Sequence, residues 1–246
     1  MLLRPSSLIG GSKNKYTDYL RIVLTLELAH LKKVRLILII KKVGLNMLAV
    51  IQARMGSKRF PGKVLADFGK KKILLRVWEV VAKVCGGQNT IVATSANSQD
   101  DPVALFGAQY GWRVYRGHPE NVWSRFHEIS KETDAEWILR ICADSPLMSA
   151  PLIQAMIQLV RADLDLITNI HPRTFPRGQS VEIIHRRLFR EEFFFPQTSS
   201  DREHVTPHLY RIPSLRILNY LNPLGDQSRE AWSVEEPGDI ERLEKL

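Results

Sequence analysis

Cysteine is nearly absent from this 246-residue chain, which has only Cys85 and Cys142. The two lie far apart and in no metal-ligand or redox spacing, so a disulfide-stapled or zinc-ribbon fold is excluded and a reduced, cytoplasmic protein is expected. A long hydrophobic run is missing too. The most apolar stretch, Leu20 to Ile40, is broken by Arg21, Glu27, Lys32, Lys33 and Arg35, well short of the roughly 20 apolar residues a membrane span needs. A signal-peptide core with a small-residue cleavage site is lacking as well, as are internal repeats and low-complexity tracts.

Negative charge is scarce at one end only. Residues 1–46 carry nine Lys or Arg against Asp18 and Glu27, which is +7 of the formal +9, and leave +2 for residues 47–246. The basic character therefore belongs to an N-terminal extension and gives no reason to assign nucleic-acid binding to the body of the chain. Three readings of the extension stand: a basic amphipathic surface helix, an organelle transit peptide, or upstream sequence joined to the gene. The last is preferred, because Met47 immediately precedes the first expected strand. Residues 47–246 are long enough for one domain with a full core.

Apolar periodicity alternates strand and helix along that domain. Strands are expected at 48–52, 90–94, 112–115 and 137–142, and helices at 73–84, from Pro102 onward, at 122–131 and at about 150–161. Asp100 or Asp101 is placed to cap the helix opened by Pro102. Further strands are expected at 165–169, 181–185 and 215–220, and a short helix at the tail, 237–246. This order implies an α/β fold with a mainly parallel sheet and helices on both faces.

Ligand sites of such sheets form at the carboxyl ends of the strands. The first strand opens there into Ala53-Arg54-Met55-Gly56-Ser57-Lys58-Arg59-Phe60-Pro61-Gly62-Lys63. The cations suit phosphates and the glycines allow close backbone approach, so a triphosphate is the expected ligand. A solvated basic loop is the plain alternative. The segment is neither a P-loop nor a G-x-G-x-x-G turn, since five residues separate Gly56 from Gly62 and Val64 follows the lysine.

Gln52-Ala53-Arg54-Met55-Gly56-Ser57, followed by Arg59, Pro61-Gly62-Lys63-Val64-Leu65, resembles the N-terminal signature of the sugar cytidylyltransferases. The resemblance is greatest to the branch named for spore coat polysaccharide biosynthesis protein F, related to the 3-deoxy-manno-octulosonate and acylneuraminate enzymes. It implies a nucleotide-diphospho-sugar transferase fold, Rossmann-like and GT-A-like, over 47–246. It also implies transfer of CMP from CTP to a sugar or sugar acid with release of pyrophosphate, in surface polysaccharide biosynthesis. Ala53, Arg54, Gly56, Ser57, Arg59, Lys63 and Arg140 would bind the nucleotide, and Arg54, Lys63 and Asp144 would serve catalysis. Many family members are dimers, so a homodimer is an expectation.

Arg140-Ile141-Cys142-Ala143-Asp144-Ser145-Pro146-Leu147 resembles the family's R-I-x-G-D-x-P-L, whose acid coordinates Mg²⁺. Alone, Asp144 could equally be a turn residue. A second ligand comes in the family from W-x-V-D-T-P-E-D, matched here by Trp232 to Asp239 with Glu235 at the ligand position. The branch's P-D-G-L-D-V-E is matched by Pro176 to Glu182, with Arg177 and Ser180 where it has acids. Asp201-Arg202-Glu203-His204-Val205-Thr206-Pro207 resembles its S-x-R-E-H-V-T-P. On that match Arg202, Glu203 and His204, with Glu182 and Arg125, are the expected acceptor-binding residues. A structural hydrogen-bond cluster would explain Arg202, Glu203 and His204 as well. His204 and His208 do not make a zinc helix, because Pro207 interrupts the turn between them.

Two other functions fit parts of the sequence. A glycosyltransferase would use a D-x-D motif after a strand, and Asp163-Leu164-Asp165 precedes its strand. A catalytically reduced assembly protein of a polysaccharide pathway would account for Arg177, Ser180 and Glu235.

Overall fold

The computed structural model describes residues 46–246, so the expectations for the extension lie outside the described residues. Strand β1 (Met47–Gln52) is the apolar run that opens the domain, and its first five residues are buried. It pairs in parallel with both β4 (Thr90–Ser95) and β6 (Trp137–Cys142). A strand covered on both faces reads as continuous hydrophobicity, as it does here. Outside β4 lies β5 (Arg113–Gly117), also parallel. Beyond β6 the sheet runs through β8 (Glu182–His185), β7 (Leu166–Thr168) and β9 (Ile217–Asn219). Only β8 is reversed, antiparallel to both β6 and β7. A small hairpin of β2 (Asp67–Phe68) and β3 (Lys71–Lys72) stands apart from this sheet.

Helices α1 (Ile73–Cys85), α2 (Asp101–Gln109) and α4 (Ala150–Ile157) pack on one face. Leu74, Val77, Val81 and Val84 of α1 join Ala49, Ile51 and Leu139 in that core. The other face is covered by α3 (Val122–Lys131), α5 (Arg187–Arg190) and the segment around α6 (Ser199–His204), through Phe126, Ile129, Leu188, Phe189 and Val205. A third cluster seats α7 (Gly238–Glu244) and Trp232 against Phe68 and Ile73. Among the described residues no helix is long and apolar enough to cross a membrane.

The expected strands and long helices are all present, with small shifts at their ends. α4 stops at Ile157 rather than Arg161, because Leu159 and Val160 turn back in tighter bonds to Met156 and Ile157. The reversal of β8, the hairpin and the short helices α5 and α6 were not expected from the sequence. Asp100 stands at the N-cap of α2 but its side chain makes no capping bond. Its carboxylate turns instead toward the loop after β1.

Candidate active site

The loop that follows β1 is a built structure rather than a solvated tail. The Met55 carbonyl accepts from the amides of Ser57 (2.9 Å) and Gly62 (2.8 Å), which closes the loop on itself. Gly62 makes that turn at φ 77°, a conformation glycine adopts without cost. The Ala53 amide continues the ladder to Ala93, and the Met55 amide donates to Asp100 Oδ1 at 2.6 Å. Asp100 is buried, and its other oxygen accepts from the amide and hydroxyl of Ser95. The aspartate thus ties the phosphate-loop candidate to the end of β4. Gln99 lies over Gly56, within 3.5 Å of where a Cβ would stand.

Each of three loop cations reaches a carboxylate brought from elsewhere in the chain. Arg54 Nη2 is 2.8 Å from Glu203 Oε1, and Arg59 Nη2 is 2.8 Å from Glu235 Oε2. Lys63 Nζ donates to Asp144 Oδ2 (2.8 Å), Glu235 Oε2 (3.1 Å) and the Val234 carbonyl (2.7 Å). Burial alone would lower the pKa of Lys63, but Asp144 and Glu235 outweigh it and hold the ammonium above its ordinary value.

The segment carrying Glu235 is fixed from three sides. Its Val234 amide donates to the Asp144 carbonyl, so the two acids share a backbone clamp. Gly178, at φ 92°, lies so close to Trp232 and Ser233 that any Cβ would stand 2.5 Å from their backbone atoms. Asp239 accepts from the amides of Glu235 (2.8 Å) and Glu236 (3.0 Å). Burial opposes ionisation of Asp239, yet Arg242 and those amides keep its carboxyl below the usual range.

Asp144 and Glu235 already share one cation, the Lys63 ammonium, so their donor sets fit a divalent ion between them. Among the described residues no three His, Cys, Asp or Glu side chains gather as a metal cage. Mg²⁺ commonly takes one or two carboxylates and completes its shell with water and phosphate oxygens.

The remaining sequence-expected residues divide. Arg140 and Glu182 are cross-strand partners on β6 and β8 and form a buried ion pair, with Tyr210 donating to the same glutamate. Arg140 Nε also donates to Gln52 at 2.9 Å. These two expected ligand residues are thus paired with each other and with their neighbours. Arg125 is 1% exposed and donates to the carbonyls of His118 (2.9 Å) and Pro119 (2.7 Å). Burial lowers its pKa to about 10. It pins the loop after β5, a place that does not fit the expected contact with substrate. Arg202 makes a long 3.5 Å contact with the Pro196 carbonyl, and His204 is exposed. His208 faces the Phe194 carbonyl at 2.8 Å, away from any shared site with His204. Asp165 precedes β7 and is held by Arg187 and Arg216, at the rim opposite the loop. It is no metal motif for a glycosyltransferase. Residues that the sequence reading missed are Asp100, whose nearness to Pro102 suggested a cap, and Tyr210, which no motif marks.

A cationic loop bonded to two acids on one rim of a mainly parallel sheet has the form of an α/β nucleotidyltransferase site. Comparison with known proteins narrows the class. The cytidylyltransferase family model matches residues 48–229, and the chain belongs to that family. It is 30% identical over 184 residues to the spore coat polysaccharide biosynthesis protein SpsF of Bacillus subtilis, covering 72% of this chain and 75% of that one. A cytidylyltransferase structure from Leptospira borgpetersenii superimposes with a TM-score of 0.76 at 27% identity, over 81% of this chain and 85% of the other. The structure of CMP:2-keto-3-deoxy-manno-octonic acid synthetase with CTP shares the fold, with a TM-score of 0.63 at 18% identity over 81% and 97% of the two chains.

Proposed function

We propose that this protein transfers the cytidylyl group of CTP to a hydroxyl of a sugar or sugar acid and releases pyrophosphate, in the cytoplasmic supply of a surface polysaccharide. The observation that carries this reading is Lys63, a loop ammonium bonded at once to Asp144 and Glu235. It brings a triphosphate-binding loop and a carboxylate pair to one point.

In this reading Arg54, Arg59 and Lys63 exchange their carboxylate partners for phosphate oxygens. The acceptor hydroxyl oxygen attacks the α-phosphorus in line, the bond to the β-phosphate oxygen breaks, and the hydroxyl proton passes to solvent. The loop cations offset the charge that develops on departing pyrophosphate. Mg²⁺, held by Asp144 and Glu235, would supply further neutralisation of the phosphates. Catalysis of this kind is positioning and charge stabilisation, so no covalent nucleophile is required.

The test is pyrophosphate release by the full chain with CTP, Mg²⁺ and a panel of neutral sugars and sugar acids. Release that needs one acceptor, prefers CTP and disappears in Asp144→Ala supports the reading. CTP binding with no release across the panel would leave an acceptor outside the panel or the reduced assembly protein, the reading motivated by Arg177, Ser180 and Glu235. Glu235→Asp would then restore turnover only in a chain whose remaining machinery is intact.

A further inference from the structure

Glu203 lies in the last turn of α6, which ends at His204 as Val205 turns at φ 73°. Helix C-termini carry negative dipole charge, so a carboxylate there is poorly placed on its own helix. His204 of the same helix compensates in part, and the largest share comes from elsewhere. Arg54, 149 residues away in the sequence, donates to it at 2.8 Å and keeps its carboxyl below the usual range. Lys58 of the same loop adds attraction. Both partners are nearly half exposed, 45% and 44%, so this contact can be exchanged for another without unfolding anything.

We infer that Glu203 is a positioning residue that competes with the CTP triphosphate for Arg54, so that filling the nucleotide loop frees α6. The inference rests on the cytidylyltransferase reading of the loop. In the nucleotide-free protein the carboxylate of Glu203 stands in for a phosphate oxygen and keeps the guanidinium extended. When the triphosphate takes Arg54, Glu203 is left ionised beside new negative charge, which pushes it away from the loop. A link of this kind joins the first half of the chain to the second. Occupancy of the nucleotide loop is thereby reported to the helix that the sequence reading assigned to the acceptor.

The test is isothermal titration of CTP, with Mg²⁺ present, into the full chain as wild type, Glu203→Gln, Glu203→Ala and Glu241→Gln. Glu241 is an exposed acid on α7 paired with Lys245, and serves as the control for bulk charge. Removing an exposed competing carboxylate should tighten CTP binding roughly two- to fivefold at low salt, the range set by exposed ion pairs. The gain should shrink at about 0.5 M salt, where such contacts are screened. A merely structural Glu203 would leave binding unchanged or weaken it when removed. Tightening in both Glu203 variants with none in Glu241→Gln supports the proposal. Unchanged or weaker binding in the Glu203 variants, with wild type binding CTP, overturns the proposal alone. A wild-type chain that binds no CTP overturns the parent reading and this proposal with it.

Discussion

Replacing Lys63 with Met keeps the aliphatic stem and removes the one charge that Asp144 and Glu235 share. Breaking a fully buried ion pair costs about 3–5 kcal/mol. Here the Asp144 and Glu235 side chains are 24% and 39% exposed, so water relieves part of the exposed charge. A loss of about 2 kcal/mol is expected, which for a domain of this size lowers Tm by about 4–8 °C. Thermal unfolding followed by circular dichroism measures it. The pH dependence has a defined sign. Because the folded pKa of Lys63 is raised above 10.5, its contribution is whole below that value and is lost as pH climbs through the folded one. The gap between wild type and Lys63→Met should therefore hold across neutral pH and close only in strong alkali. Mg²⁺ gives a second readout. With the ammonium gone, the paired carboxylates should accept a divalent ion more readily, and ten times its Kd of ligand adds about 1.4 kcal/mol. Mg²⁺ should thus raise the Tm of the variant more than that of wild type. A variant Tm within about 1 °C of wild type, or equal Mg²⁺ shifts in both proteins, would refute the shared-cation account.

Gly178→Ala should destabilise the protein by about 3 kcal/mol, since it combines a positive φ with a backbone collision. The collision falls on Trp232 and Ser233, so denaturant unfolding and pyrophosphate release should both suffer as Glu235 is displaced. Asp165→Asn should cost about 2 kcal/mol at neutral pH, where the acid is ionised between Arg187 and Arg216. Burial raises the pKa of Asp165, but those two arginines outweigh it and hold the folded value below 3.8. Its contribution is present above 3.8 and lost as pH falls through the folded value, so acid titration of stability should bring variant and wild type together.

The central sheet was legible because its strands are short, continuous apolar runs. Trp137–Cys142 and the helix Val122–Lys131 fall where periodicity placed them. Short apolar segments carry no direction, which is why the reversal of β8 was hidden: Glu182–His185 reads the same whichever way it enters the sheet. The basic loop was legible as chemistry and the pairing of Asp144 with Glu235 came from the resemblance, but the contacts of Arg59 and Lys63 with those acids were not foreseen. Other contacts that need three dimensions were hidden too. Arg125 looked like a substrate cation and is a buried brace, because nothing in its neighbourhood in sequence marks the carbonyls of His118 and Pro119 as its partners. Asp100 looked like a cap because Pro102 follows it, and the competing claim of the Met55 amide comes from 45 residues away.

The reversed strand has a consequence for how the protein can change. Parallel strands leave the sheet at one rim and return at the other, so each contributes a single connection to the working side. β8 begins at Glu182 on the rim where β6 and β7 end. The whole link from Thr168 to Glu182 therefore spans the working rim, and the segment after β9 returns to the same edge with Glu235. Two long, adjacent connections, clasped together at Arg177 and Trp232, are added on the side away from β4 and β5. The cationic loop is anchored in one half of the rim, while the other half is formed by these two connections and meets the loop through Glu235. If the proposed function holds, a change at Arg177 or Ser180 alters the first of these connections without touching the loop cations, whereas a change at Glu235 reaches Arg59 and Lys63 directly.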